Sequence, residues 1–252
     1  MSLRSAEFWY ESVPNIWYEN VPDLAGVVNA CEDLTVSESP QRAYGGQSAA
    51  ERRRQRRRRL LDAALDAMAR TEWRTATVDK LCAAAGLNKR YFYESFDDVD
   101  SLAAAVVDDI ADEVRTATLE AVGAVIEQPL EVQALAGVAA AVGALVDDPR
   151  RARILLGGVA ASPALQAHRT TVMHRLTDVL IGHGRAVHGV ELEADPLAKV
   201  APSFIVGGTA EAILAFVNGD VDLPVDELIG QLATLWLITG NGAAQVARAR
   251  MT

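Results

Sequence analysis

AAAGLNKRYFYESF, residues 83 to 96, sets a lysine, an arginine and two tyrosines just behind an Ala-Gly corner in an otherwise alanine-rich, acidic chain. Before it, Thr77 is suited to cap a short helix whose inward residues are Val78, Leu81 and Ala85, and Gly86 breaks that helix. Asn88 then caps a further helix. With Phe92 taken as facing the core, a helical step of about 100° per residue puts Phe96 about 40° away and Arg90 about 160° away. Tyr91 and Tyr93 flank Phe92 at about 100° on either side, and Lys89 stands at the helix tip. Two short helices joined by a tight turn have helix-turn-helix spacing. In that motif the second helix enters the major groove, with its amino-terminal residues nearest the base edges. Lys89 and Arg90 are the types that donate to guanine N7 and O6. Tyr91 and Tyr93 can bond phosphate or lie against a thymine methyl. A merely solvated charged face is the bland alternative, and two outward tyrosines beside two cations argue against it.

Upstream lies ERRRQRRRRL, residues 51–60, with arginine at 52, 53, 54, 56, 57, 58 and 59. Arginines one turn apart repel, and cations at a helix amino terminus oppose its dipole. Phosphates would turn that repulsion into attraction, with Arg56 and Arg57 as the chief expected contacts. The net charge of −10 is uneven. Residues 1–50 carry 2 basic and 7 acidic groups, residues 51–100 carry 12 and 9, and residues 101–252 carry 10 and 18. The basic field is therefore local.

The rest of the chain reads as helix. Ser48 and Glu51 form a capping box ahead of Leu61, Ala64, Leu65 and Met68. Asp97 or Asp98 opens a long helix striped by Val99, Leu102, Val106, Ile110 and Val114, and Pro129 ends the pattern. Asp148-Pro149, Ser162-Pro163 and Asp195-Pro196 each put a capping oxygen before a proline, three further helix starts. The last two helices are expected near 196–217 and 225–239. No alternating run suggests a sheet. The fold class is all-α, with about nine helices: a three-helix helix-turn-helix domain over 48–97, then a larger helical effector-binding and dimerisation domain over 98–252. Residues 1–47 read as an acidic, aromatic, flexible extension holding the repeat WYESVPNI and WYENVPDL. Three readings of it stand: residues ahead of the true start, an arm that masks the arginines, or a docking peptide. No signal peptide is expected, and the two cysteines, Cys31 and Cys82, imply no disulfide framework. The longest nearly apolar run, Val132–Val146, is too short to span a membrane. A cytoplasmic protein is expected.

Residues 56–107, RRRRLLDAALDAMARTEWRTATVDKLCAAAGLNKRYFYESFDDVDSLAAAVV, resemble the TetR family of transcriptional regulators. The likeness lies in the first helix, the TATV entry to the second, the AAAGL turn and the YFYESF recognition helix. It implies a homodimer that binds a palindromic double-stranded DNA operator, usually as a repressor, and releases it on binding a small molecule. Carried over by position, Thr77 caps and touches phosphate, and Asn88 stands where the family often has Ser or Thr. Arg90 and Tyr91 fall at base-reading positions, and Tyr93 at the phosphate-contacting tyrosine. The family's lysine at the start of the fourth helix is replaced here by Val99 amid Asp97, Asp98 and Asp100. Cys82 falls at a small core position.

The last two helices carry Phe204, Ile205, Leu228, Leu232, Leu235 and Trp236, more apolar surface than one thin bundle hides, so the homodimer is expected through them. His168 shares a stripe with Leu165, Val172, Leu176 and Val179 and could orient a ligand, although a satisfied core histidine is the commoner case. The other histidine spacings suit no metal, and no phosphate-binding loop, nucleophile elbow or zinc motif occurs, so neither cofactor nor catalysis is expected. The effector is expected to be small and largely apolar. The rival function is an all-helical ligand-sensing or interaction protein that has lost operator binding, which the three aspartates favour.

Overall fold

A computed structural model describes residues 48–70, 72–157, 162–189, 192 and 194–251. The expected amino-terminal extension, with its repeat and Cys31, lies outside the described residues. Among these residues the structure is all helical, with nine α-helices and no strand. The first, α1, is Ala49–Ala69, and the Ser48–Glu51 capping box forms in both directions. A 3₁₀ turn, Glu72–Thr75, buries Trp73 and leads to α2, Val78–Ala85, and α3, Lys89–Tyr93. Then come α4, Val99–Ala124, and α5, Leu130–Val146. A single-turn α6, Pro149–Ala152, runs into a π-helical turn, Arg153–Gly157. The chain closes with α7, Pro163–His188, α8, Pro196–Asn218, and α9, Val225–Met251.

The caps explain most boundaries. Asp98 opens α4 by accepting from the Ser101 amide at 2.7 Å, while the Ser101 hydroxyl accepts from the Asp98 amide. Asp148, Ser162 and Asp195 each cap a helix whose first residue is proline. Gly219 closes α8 in the left-handed region, φ 80°. The end of α9 differs from expectation: the helix does not stop near 239 but continues through Gly240-Asn241-Gly242 to Met251. Tertiary packing outweighs the glycine penalty there. Gly242, Ala243, Ala244 and Ala247 are buried, and Ala244 and Ala247 pack with Leu192 and Ala198.

The amino-terminal core is formed by Leu60, Ala64, Leu81, Phe92 and Phe96. It continues without a gap into the larger half, because α1 packs on α4 and touches α6. There α4 and α5 form the most extensive helix pair, and α9 packs on α5 and α8. Gly137 lets α5 pack tightly on α4: a Cβ there would lie 2.9 Å from Val122 Cγ2. Replacing Gly137 with valine overpacks this crossing and is expected to cost about 1–3 kcal/mol. A lowered midpoint in urea unfolding at unchanged slope is the reading to look for.

Candidate nucleic-acid interface and effector cavity

Helix α3 is only five residues long, too short to be stable alone. Its neighbours hold it. Phe92 is completely buried and meets Phe96 with ring centroids 5.9 Å apart. The Asn88 Oδ1 accepts from the Tyr91 amide at 3.2 Å, and Thr77 Oγ1 accepts from the Lys80 amide at 3.3 Å. The turn between α2 and α3 rests on Gly86 at φ 62°, where any Cβ would be 2.7 Å from Arg59 Nη2.

On that anchored base the predicted residues divide. Arg90 points out, its side chain 84% exposed, with Nε 3.2 Å from Glu94 Oε1. Tyr93 is exposed, edge-on to Phe92. Lys89 is exposed and paired with Asp79 at 2.8 Å, whose carboxylate holds the ammonium above its usual range. Thr77 and Asn88 sit at the amino ends of α2 and α3 with their side-chain oxygens used as caps. Tyr91 is only half exposed, because the Arg56 guanidinium lies over its ring, 4.3 Å from the centroid. Arg56 also reaches Glu94 at 3.6 Å, so it braces α3 against α1. Arg57 is exposed, its guanidinium 5.3 Å from the Phe96 ring centroid. Arg53, Arg54 and Arg58 are exposed on the same helix. Burial and the Asp79 carboxylate push the Cys82 thiol up, so it is a protonated core residue.

The larger half encloses a cavity of about 630 Å³ bounded by α4, α5, α7, α8, α9 and the π turn. Its lining includes Leu145, Leu155, Ile213, Ile126, Gln133 and His183. Its walls are mainly aliphatic, with Trp236 Nε1 donating to Thr209 Oγ1 at 2.6 Å on one side. His168 is not among the residues that line it. Its Nε2 lies 3.0 Å from Asp108 Oδ1, so the imidazole ties α7 to α4 at the surface. The helical stripe located the inward direction of α7 but not the carboxylate waiting on α4. The cavity histidines are instead His183 and His188, both pushed down by burial and therefore neutral.

The part of the cavity wall supplied by the π turn adjoins α1. Leu155 and Leu156 belong to the π turn, and Arg169 donates to both of their carbonyls, at 3.1 and 3.0 Å. One turn earlier, Arg150 bridges Asp148 of its own segment and Asp66 of α1, and Arg151 bonds Glu113 of α4. The Arg150 guanidinium holds the Asp148 carboxyl below its usual range. Sequence reading found the Asp148-Pro149 cap but not this network, since Asp66 and Arg150 are 84 residues apart. Among the described residues no group of three or more His, Cys, Asp or Glu converges to hold a metal.

No protein-family model matches the chain, and no curated protein matches it in sequence. Solved structures do match in fold. The fatty acid degradation regulator FadR from Bacillus halodurans is 18% identical, with 77% of this chain and 97% of that one covered, at a TM-score of 0.55. The transcriptional regulator FadR from Bacillus subtilis, in complex with stearoyl-CoA, is 15% identical over 72% and 97%, at 0.58. A TetR-family transcriptional regulator from Streptomyces coelicolor is 18% identical over 78% and 89%, at 0.57. The chain has the all-helical fold of TetR-type transcriptional regulators.

The two cavity histidines make stability depend on pH. A histidine depressed by burial binds its proton more readily when unfolded, so its contribution is complete above about 6.5 and is lost as pH falls through the lower folded value. Thermal midpoints should therefore drop more between pH 7.5 and 5 in the parent protein than in a His183→Gln variant. Parallel midpoints over that range would show that His183 does not titrate in this way.

Proposed function

We propose that this protein is a sequence-specific DNA-binding transcriptional regulator, a homodimer released from a palindromic operator by a small, largely apolar ligand. The carrying observation is the outward Arg90 and Tyr93 on a five-residue helix whose inward Phe92 is fully buried. Arg90 has the reach to read a guanine edge, while Tyr93, Thr77, Asn88 and the arginines of α1 have the chemistry for phosphate. The fold shared with known regulators supports the reading. Asp98 is spent as a helix cap, which leaves Asp97 and Asp100 as the exposed charges that oppose DNA at the start of α4. The exposed arginines of α1 offset them. A working compartment with DNA, the cytoplasm, follows from this role.

The dimer rests on α8 and α9. Ile205, Leu228 and Leu232 are consumed within the chain, but Phe204 is 68% exposed, and Val200, Leu235 and Ile238 are exposed too. Helix α8 is long and apolar enough to cross a membrane, with mean hydropathy 1.7 over a window only 22% buried. Two-fold pairing of α8 and α9 covers this surface and sets the spacing of two recognition helices. The cavity is the effector site. Its π-turn wall and the Arg150–Asp66 bridge connect occupancy to α1. A regulator of this fold holds stearoyl-CoA, which supports a long apolar ligand here.

Selection of binding sites from a randomised duplex pool tests the reading, since recovery of no common sequence sinks it. On a selected duplex, Arg90→Ala is expected to relax discrimination at one base pair by about 1–3 kcal/mol. Arg57→Ala should weaken all duplexes alike and flatten the log–log salt slope by about one. Phe204→Glu should raise the dimer dissociation constant about tenfold or more, read by light scattering across a dilution series. A dimer indifferent to that charge would move the interface elsewhere.

A further inference from the structure

Glu94, the residue that closes α3, stands between two arginines. Its Oε1 accepts from Arg90 Nε at 3.2 Å, one helical turn back. Its Oε2 faces Arg56 Nη2 of α1 at 3.6 Å, and that guanidinium lies over the Tyr91 ring. The Glu94 side chain is 31% exposed, against 84% for Arg90. The carboxylate is therefore held from a second helix as well as from its own, unlike an ordinary pair on a helix surface.

A carboxylate beside cations offered to DNA weakens every phosphate contact nearby. An exposed pair one turn apart returns little stability for that. What the pair does set is the Arg90 guanidinium. The five N–H groups of an arginine lie in one plane, so a bond at Nε restrains the direction of the other four. Among the described residues neither Nη1 nor Nη2 of Arg90 has a partner. Those two nitrogens form a coplanar edge suited to guanine N7 and O6. Lys89 differs. Its ammonium pairs with Asp79, but three rotating N–H groups have no plane to set.

We propose that Glu94 is a positioning residue for base reading: anchored from α1 by Arg56, it holds Arg90 at Nε and leaves the Nη1–Nη2 edge to donate to guanine. This rests on the reading of DNA by α3, and it adds a residue that sets specificity without touching a base. An arginine ordered before contact has less freedom to lose on meeting the right base pair. The charge of Glu94 acts separately, against all duplexes alike.

The test uses the full chain and a duplex recovered from the randomised pool. Fluorescence anisotropy at one salt concentration gives Kd for that duplex, for one with the base pair read by Arg90 exchanged, and for an unrelated duplex. The pair to exchange is the one at which Arg90→Ala loses discrimination. Glu94→Ala is expected to lower the ratio of exchanged to selected Kd about fivefold, while the unrelated duplex binds as well or better. In the Arg90→Ala background the same substitution should leave the ratio where it stands. Glu94→Leu, which keeps the bulk, makes the same test should the alanine variant fail to fold. Tighter binding to all three duplexes at an unchanged ratio makes Glu94 a source of charge alone. Equal weakening on all three makes it a structural residue alone. A further fall in the ratio on the Arg90→Ala background makes it a base contact in its own right. Each of these overturns the inference and leaves the reading of DNA standing. Recovery of no common sequence from the pool removes that reading, and the inference with it.

Discussion

Helix α3, five residues long, has too few internal hydrogen bonds to hold its shape, so the burial of Phe92 and Phe96 carries it. Both rings sit in a core supplied by α1 and α2, which fixes the rotation of α3 about its own axis. Arg90 and Tyr93 are outward because Phe92 is inward. The Arg56 guanidinium adds a second restraint from α1, lying on the Tyr91 ring and reaching Glu94. Any motion of α1 therefore reaches α3 through apolar packing and through one cation.

That coupling gives the junction between the halves its importance. Helix α1 contacts α4, α6 and the π turn, and its Asp66 is bonded by Arg150. The π turn is an unusual conformation, and Arg169 satisfies the carbonyls of Leu155 and Leu156 there. Leu155 and Leu156 also line the cavity. A single short segment thus faces the cavity with its aliphatic side chains and holds α1 through the neighbouring arginine. Ion pairs this exposed add little stability, so their value lies in fixing geometry.

Much of the architecture was legible beforehand, and the legible parts share a cause. Caps and breakers act within a few residues, so Ser48, Thr77, Asn88, Asp98, Asp148, Ser162 and Asp195 could be read as helix starts without knowing what packs on them. The extension of α9 beyond Gly240 could not, because burial of Gly242 and Ala244 by other elements overrides the local cost of glycine. The partner of His168 was illegible for a related reason, since its stripe on α7 could not name Asp108 of α4, which takes its imidazole.

The sequence by itself determined the all-helical class, the helix-turn-helix spacing and the outward direction of Arg90, since each follows from short-range periodicity and capping chemistry. Only the tertiary structure decided that Arg56 turns onto Tyr91, that Arg150 meets Asp66, and that Glu94 is held from α1 as well as from its own helix. Those outcomes depend on which helices cross and how closely. That is settled by the packing of whole apolar faces rather than by neighbours along the chain.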